Sequence, residues 1–207
     1  KADYAGVDAL EKKSVETHLS EVIRKTGRID ICVNTIGLDD VQGKPLTDMI
    51  YVEFSLPIYQ AMTTHFITAT AAARYMAKEK KGVILTVTAN AAQKPYLNIG
   101  GFGIACAAIE AFCRQLALEA GKDGIRVVCI RSAGSPDAPG VDAVFHKHAK
   151  NEGISREAFE NNFAERTMLK RLPKLDEVAN ALLLMATDKA SAITAAVTNV
   201  TCGELAD

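Results

Sequence analysis

The chain predicts an α/β fold built on a parallel, doubly wound sheet, and three observations carry that reading. Short runs rich in valine and isoleucine alternate with longer segments whose apolar residues recur at helical spacing. Every connection between successive strands is long enough to hold a helix, which implies right-handed crossovers and parallel neighbours. The 207 residues and 48% apolar content suit one domain with a sizeable core.

Element by element, Val7 and Asp8 end a short extended segment. A helix follows with Val15, Leu19, Val22 and Ile23 on one face, and Gly27 stops it. Ile31 to Val33 form the apolar centre of a strand that runs into Asn34-Thr35-Ile36-Gly37. A loop over 38–57 leads to a helix over 58–77, then to a strand over 83–87. The next helix spans 101–120, with Ala105, Ile109, Phe112 and Leu116 at helical spacing, and a strand over 126–130 comes after it. Residues 141–172 read as one or two amphipathic helices, and 175–187 as another that starts beyond Pro173. The last strand is 197–200.

Composition removes several function classes. A net charge of −1 gives no electrostatic case for nucleic acid or an anionic membrane. No apolar run approaches the ~18 residues of a spanning helix, and the opening KADYAGVDAL does not read as a signal peptide. The cysteines (Cys32, Cys106, Cys113, Cys129, Cys202) show neither CxxC spacing nor a disulfide framework, which points to a reducing, cytoplasmic setting. His146 and His148 stand at i and i+2 on a polar helix, pointing apart, so they read as surface residues and no metal site is expected. His18 and His65 have no evident partner.

Residues 82–119, GVILTVTANAAQKPYLNIGGFGIACAAIEAFCRQLALE, carry the strongest functional signal. A buried strand breaks into a small-residue loop and closes on a helix, an order that resembles the catalytic segment of the short-chain dehydrogenase/reductase family. Asn34-Thr35-Ile36-Gly37 is similar to that family's Asn-Asn-Ala-Gly, and ITAAVTNVTCG to its C-terminal ITG-x-x-x-NVDGG. The resemblance covers nearly the whole chain and implies a Rossmann-like sheet and NAD(P)-dependent oxidoreductase ancestry. It also implies a serine, a tyrosine and a lysine at positions that here hold Ala89, Phe102 and Cys106, and an asparagine where Ala61 stands.

Each replacement removes a specific contribution. Phenylalanine has no dissociable proton, so acid–base catalysis worth on the order of 10²–10⁴-fold has no donor at Phe102. Cys106 lacks the ammonium that would depress a tyrosine pKa and hold a ribose. Ala89 has no hydroxyl to steady a reacting oxygen. Thr88 and Tyr96, with Lys94 nearby, are the substitutes within reach of the same loop. Cys106 itself reads as a compact packing residue.

Cofactor positions follow from the resemblance as well. Asp8 would lie near an adenine, Asn34 and Gly37 beside the adenosine half, and Gly134, in Arg131-Ser132-Ala133-Gly134-Ser135, near the nicotinamide. No TGxxxGxG turn is present, and Gly100-Gly101-Phe102-Gly103 precedes the wrong helix to replace it. The reading is therefore a single domain over 1–207 that lacks its first βαβ unit, the retained part of a longer protein. NAD or NADP would bind with that leading segment present and poorly to this chain alone. The strand at Ile31 would keep one unpaired side.

The stripes Phe66, Ala69, Ala73, Met76 and Ala105, Ile109, Phe112, Leu116 read first as core. By family resemblance the helices bearing them would also form a homodimer or homotetramer interface. Three functional readings stand: a binding or assembly role without tyrosine-based chemistry, an active NAD(P)-dependent oxidoreductase on a small carbonyl or alcohol using non-standard residues, or an interaction module with a closed pocket.

Overall fold

A computed structural model describes residues 2–206. Helix α1 (Lys12–Thr26) ends at Gly27, whose positive φ of 85° lets its N–H close on Ile23 O. Strand β1 (Ile31–Asn34) leads through a loop to α2 (Tyr51–Glu79). That helix begins a full two turns before the expected start. Glu53 accepts the Ile50 N–H at 3.1 Å, which caps the first turn, and Pro57 sits inside the helix instead of ahead of it.

Strand β2 (Gly82–Ala89), helix α3 (Phe102–Ala120) and strand β3 (Ile125–Ser132) follow as expected. The segment 141–172 resolves into α4 (Pro139–Glu152) and α5 (Arg156–Ala164), and the chain closes with α6 (Leu175–Ala186) and β4 (Val197–Val200). All four strands are parallel in the order β1-β2-β3-β4, a Rossmann-like arrangement with helices on both faces.

Alternation along β2 and β3 decides which helix each residue meets. Ile84, Val127 and Cys129 pack against α2 and α3, in a cluster with Ala61, Ala72, Met76, Ala105 and Ile109. Val83, Leu85, Val128 and Ile130 face the other way, onto Val178 and Met185 of α6. A third cluster joins α4 and α5 through Phe145 and Phe159. Small residues bring α2 and α3 together, and Gly101 shows how closely: a Cβ there would stand 2.0 Å from Phe54 O.

Two expectations need adjustment. Phe66 was read as core, yet it is 60% exposed, with its ring edge-on to the half-buried Phe112 at 6.4 Å. Strand β1 pairs only with β2 among the described residues, and Ile31 and Val33 are each 47% exposed. The side chains on that face of β1 are thus half in water.

Candidate active site

The candidate site lies at the carboxyl ends of β2 and β3 and the start of α3, where the resemblance places it. Ala89 ends β2 and pairs in register with Ser132 of β3. Phe102 is the first residue of α3, and Cys106 lies one turn further on the same helix, 2% exposed. Burial pushes the Cys106 thiol up to about 12, against an opposing hydrogen bond from the Ala89 backbone. Positions 89 and 106 therefore meet, through a backbone amide and a neutral sulfur. Ala61 is fully buried in α2, packed in the same cluster as Ala105.

The polar groups nearby are engaged elsewhere. Thr88 donates to Glu110 Oε1 at 3.1 Å, with Cys129 Sγ 3.2 Å from the same hydroxyl. Arg131 clasps Glu110 with a two-pronged grip: Nε reaches Oε1 at 2.8 Å and Nη2 reaches Oε2 at 2.8 Å. Its Nη1 donates to Gln93 Oε1 at 2.8 Å. This ion pair is buried on both sides, and sequence reading passed over it. Its signal was a lone glutamate on the buried stripe of α3, with an arginine inside a mostly apolar strand. Ser132, also overlooked, places a hydroxyl beside Ala89, where it accepts from Gly134 N at 3.2 Å.

Tyr96 and Lys94 are close together, with the ammonium 5.6 Å from the ring centroid. The phenol donates to Glu204 Oε1 at 2.6 Å, and Lys94 reaches the same oxygen at 3.2 Å. Burial, together with the Glu204 carboxylate, pushes the Tyr96 phenol well above its ordinary range. A tyrosine serving as proton relay needs the opposite shift.

Two histidines differ from their sequence reading. His65 is buried, with Nδ1 2.9 Å from Ala61 O and Nε2 3.0 Å from Thr86 Oγ1, so it does have partners. Desolvation lowers its pKa. His148 stacks on Phe159 and places Nε2 2.9 Å from Gln42 Oε1, which ties α4 to the loop after β1; only His146 stays at the surface. Gln42 in turn donates to Asp40, whose carboxyl burial raises.

For a dinucleotide, the residues present fit in part. Gly37 is exposed and a Cβ there would meet nothing within 4 Å, so its backbone is open to close approach. Asn34 is buried and donates to Thr68 Oγ1 at 2.8 Å, holding that turn against α2. Gly134 has a φ of 88° that suits glycine, and it faces only Val141 at 3.5 Å. Asp8 accepts Leu10 N at 2.9 Å in the turn leading to α1. Within residues 2–206 no glycine-rich turn opens a helix to receive a pyrophosphate. Among these residues, no group of His, Cys, Asp and Glu is arranged to hold a metal.

Fold and site together define a protein of the dehydrogenase/reductase class. A family model described as enoyl-(acyl carrier protein) reductase matches residues 1–204. The chain is 28% identical over 196 residues to 7alpha-hydroxysteroid dehydrogenase of Escherichia coli, covering 95% of this chain and 71% of that protein. It is 27% identical over 203 residues to a 3-oxoacyl-acyl-carrier-protein reductase of Chlamydia muridarum, covering 98% and 76%. In fold it matches sorbitol-6-phosphate 2-dehydrogenase of Erwinia amylovora with a TM-score of 0.89 at 24% identity, over 97% of this chain and 78% of that one. It also matches an NAD+-bound xylitol dehydrogenase with a TM-score of 0.86 at 19% identity, over 94% and 76%. The chain belongs to the short-chain dehydrogenase/reductase family, of NAD(P)-dependent oxidoreductase ancestry.

Proposed function

We propose that this family member has left tyrosine-based hydride transfer and serves in binding or assembly. The observation that carries the reading is the packing of Cys106 against the Ala89 amide, with Phe102 one turn before it. Where the family's chemistry needs a hydroxyl, a phenol and an ammonium, this chain has a methyl, a phenyl and a neutral thiol. Groups that act as a unit lose function together, so the phenol's absence alone removes most of the rate.

Asn34, Gly37 and Gly134, with Asp8 at the edge, are the positions that would touch NAD or NADP. They offer the adenosine and nicotinamide ends a surface and the pyrophosphate no cradle, which supports weak binding by residues 2–206. The exposed aromatic face of α2 and α3, with Phe66 and Tyr59, supports association with a second copy. Five free cysteines and no helix long and apolar enough to cross a membrane, among the described residues, suit a reducing, cytoplasmic setting.

The test is oxidation of NADH and NADPH against a panel of ketones and aldehydes, paired with calorimetric titration of each nucleotide. The expected result is no turnover above background, including in Phe102→Tyr, because position 106 supplies no ammonium. Robust turnover by the wild-type protein overturns the reading. An active oxidoreductase built on Tyr96 is the second reading, favoured by Lys94 beside it. In that case Tyr96→Phe abolishes the turnover.

A further inference from the structure

The loop that leaves the site and the C-terminal segment meet at one carboxylate. Glu204 has a side chain with no exposure. Both of its oxygens are satisfied. Oε1 accepts from Tyr96 at 2.6 Å and from Lys94 at 3.2 Å, and Oε2 accepts from Asn90 Nδ2. The second Asn90 hydrogen goes to the Tyr96 oxygen at 2.6 Å, which aims the phenol's own proton at the carboxylate. Phe163 of α5 stacks behind the Tyr96 ring at 5.8 Å.

Removing a carboxylate from water is costly unless its lone pairs are met by well-placed donors. That Glu204 stays sealed shows how well these donors match a carboxylate. They all come from one short loop, and a phenol, an ammonium and a carboxamide are good partners for an anionic oxygen pair. The tail side is pinned separately: Leu169 N donates to Cys202 O at 3.1 Å, and Asn199 Nδ2 to Leu205 O at 2.8 Å. Receptor and ligand are thus held on distinct parts of the fold.

We infer that Asn90, Lys94 and Tyr96 form a carboxylate-recognition site whose resident ligand is the chain's own Glu204. The C-terminal segment works as a tether that keeps the site filled and the loop beside Ala89 ordered. When Glu204 is removed, a small external carboxylate takes its place. This holds whichever way the turnover assay falls, since no hydride step enters it.

The readout is phenolate absorbance during alkaline titration, a direct probe because the chain has five tyrosines and no tryptophan. In the wild type Tyr96 stays protonated until unfolding, so the curve overlays that of Tyr96→Phe up to that point. Glu204→Gln releases one additional phenolate equivalent, absent from Glu204→Gln/Tyr96→Phe. In Glu204→Gly, acetate suppresses that equivalent saturably while chloride at equal ionic strength does not. Should Glu204→Gly fail to fold, the nearly isosteric Glu204→Gln still carries the first comparison. A folded Glu204→Gln with no extra phenolate overturns the inference, and so does acetate acting no better than chloride.

Discussion

Thr88 and Asn90 flank Ala89, and their side chains open onto two polar networks made for different settings. Thr88 turns inward to Glu110, Arg131 and Gln93, where the ion pair is sealed between helix and sheet. Asn90 turns outward to Tyr96, Lys94 and Glu204, at the rim, where the lysine still touches water. Both networks bury a carboxylate and satisfy it fully. Ala89 itself, between them, pairs with Ser132 and meets the sulfur of Cys106 through its backbone. Polarity around these positions is therefore engaged in structure: the buried polar groups bind elements together, while Ala61 and Cys106 are packed in the core and Phe102 is half-buried.

The largest effect is expected from breaking the inner network. Replacing one partner, as in Glu110→Leu or Arg131→Leu, deprives the other of its buried counter-charge. Each single change should cost about 3–5 kcal/mol in denaturant unfolding. Glu110→Leu/Arg131→Leu should recover much of that loss, because a well-packed apolar pair avoids both desolvation costs. If the three variants behave additively, the pair is not coupled and the inner network is not the brace described.

Gly101 offers the next largest effect. A Cβ at 101 would run into Phe54 O, a backbone atom that cannot rotate away. Gly101→Ala should cost about 1–3 kcal/mol by forcing α2 and α3 apart. Unchanged stability would mean that the helices tolerate a wider spacing beside Phe102.

These networks also mark where sequence reasoning stopped. Strand and helix order was legible because apolar periodicity is local, and every helix over 101–186 begins within a few residues of its expected place. The start of α2 was misplaced because Pro57 looks like a boundary, whereas the cap that sets the boundary is Glu53. Ala89, Phe102 and Cys106 were picked out as a group by the family resemblance of the segment around them, since none of the three carries a chemical signal of its own. The Glu110–Arg131 pair is 21 residues apart in sequence and Tyr96–Glu204 is 108 apart. Neither carries a local signature, because each side chain on its own resembles an ordinary solvated charge or ring.

A smaller effect concerns pH. Desolvation holds His65 neutral, with a folded pKa below its unfolded value near 6.5. Below that value the unfolded chain binds the extra proton, so this contribution is present above about pH 6.5 and is lost as pH falls through and below it. The slope from one such group is at most about 1.4 kcal/mol per pH unit. His65→Gln should flatten the decline in unfolding free energy between about pH 7 and pH 5. His148 shifts in the same direction and will leave a residual slope. An unchanged slope in His65→Gln would remove His65 as the cause.

The smallest effect needs no change in stability at all, and it bears directly on whether position 106 is core or chemistry. With burial raising the thiol to about 12, its thiolate at pH 8 is on the order of one part in ten thousand. Alkylation requires both that thiolate and a path to it, and the sulfur lies beneath Ala89. Peptide mass spectrometry after iodoacetamide should therefore find Cys106 unmodified in the folded protein and modified after denaturation. The half-buried Cys202 should react first, since it is the less deeply desolvated of the two. Prompt labelling of folded Cys106 would mean that reagent and solvent reach the place where the family keeps its lysine, and the packed account of the site would fail there.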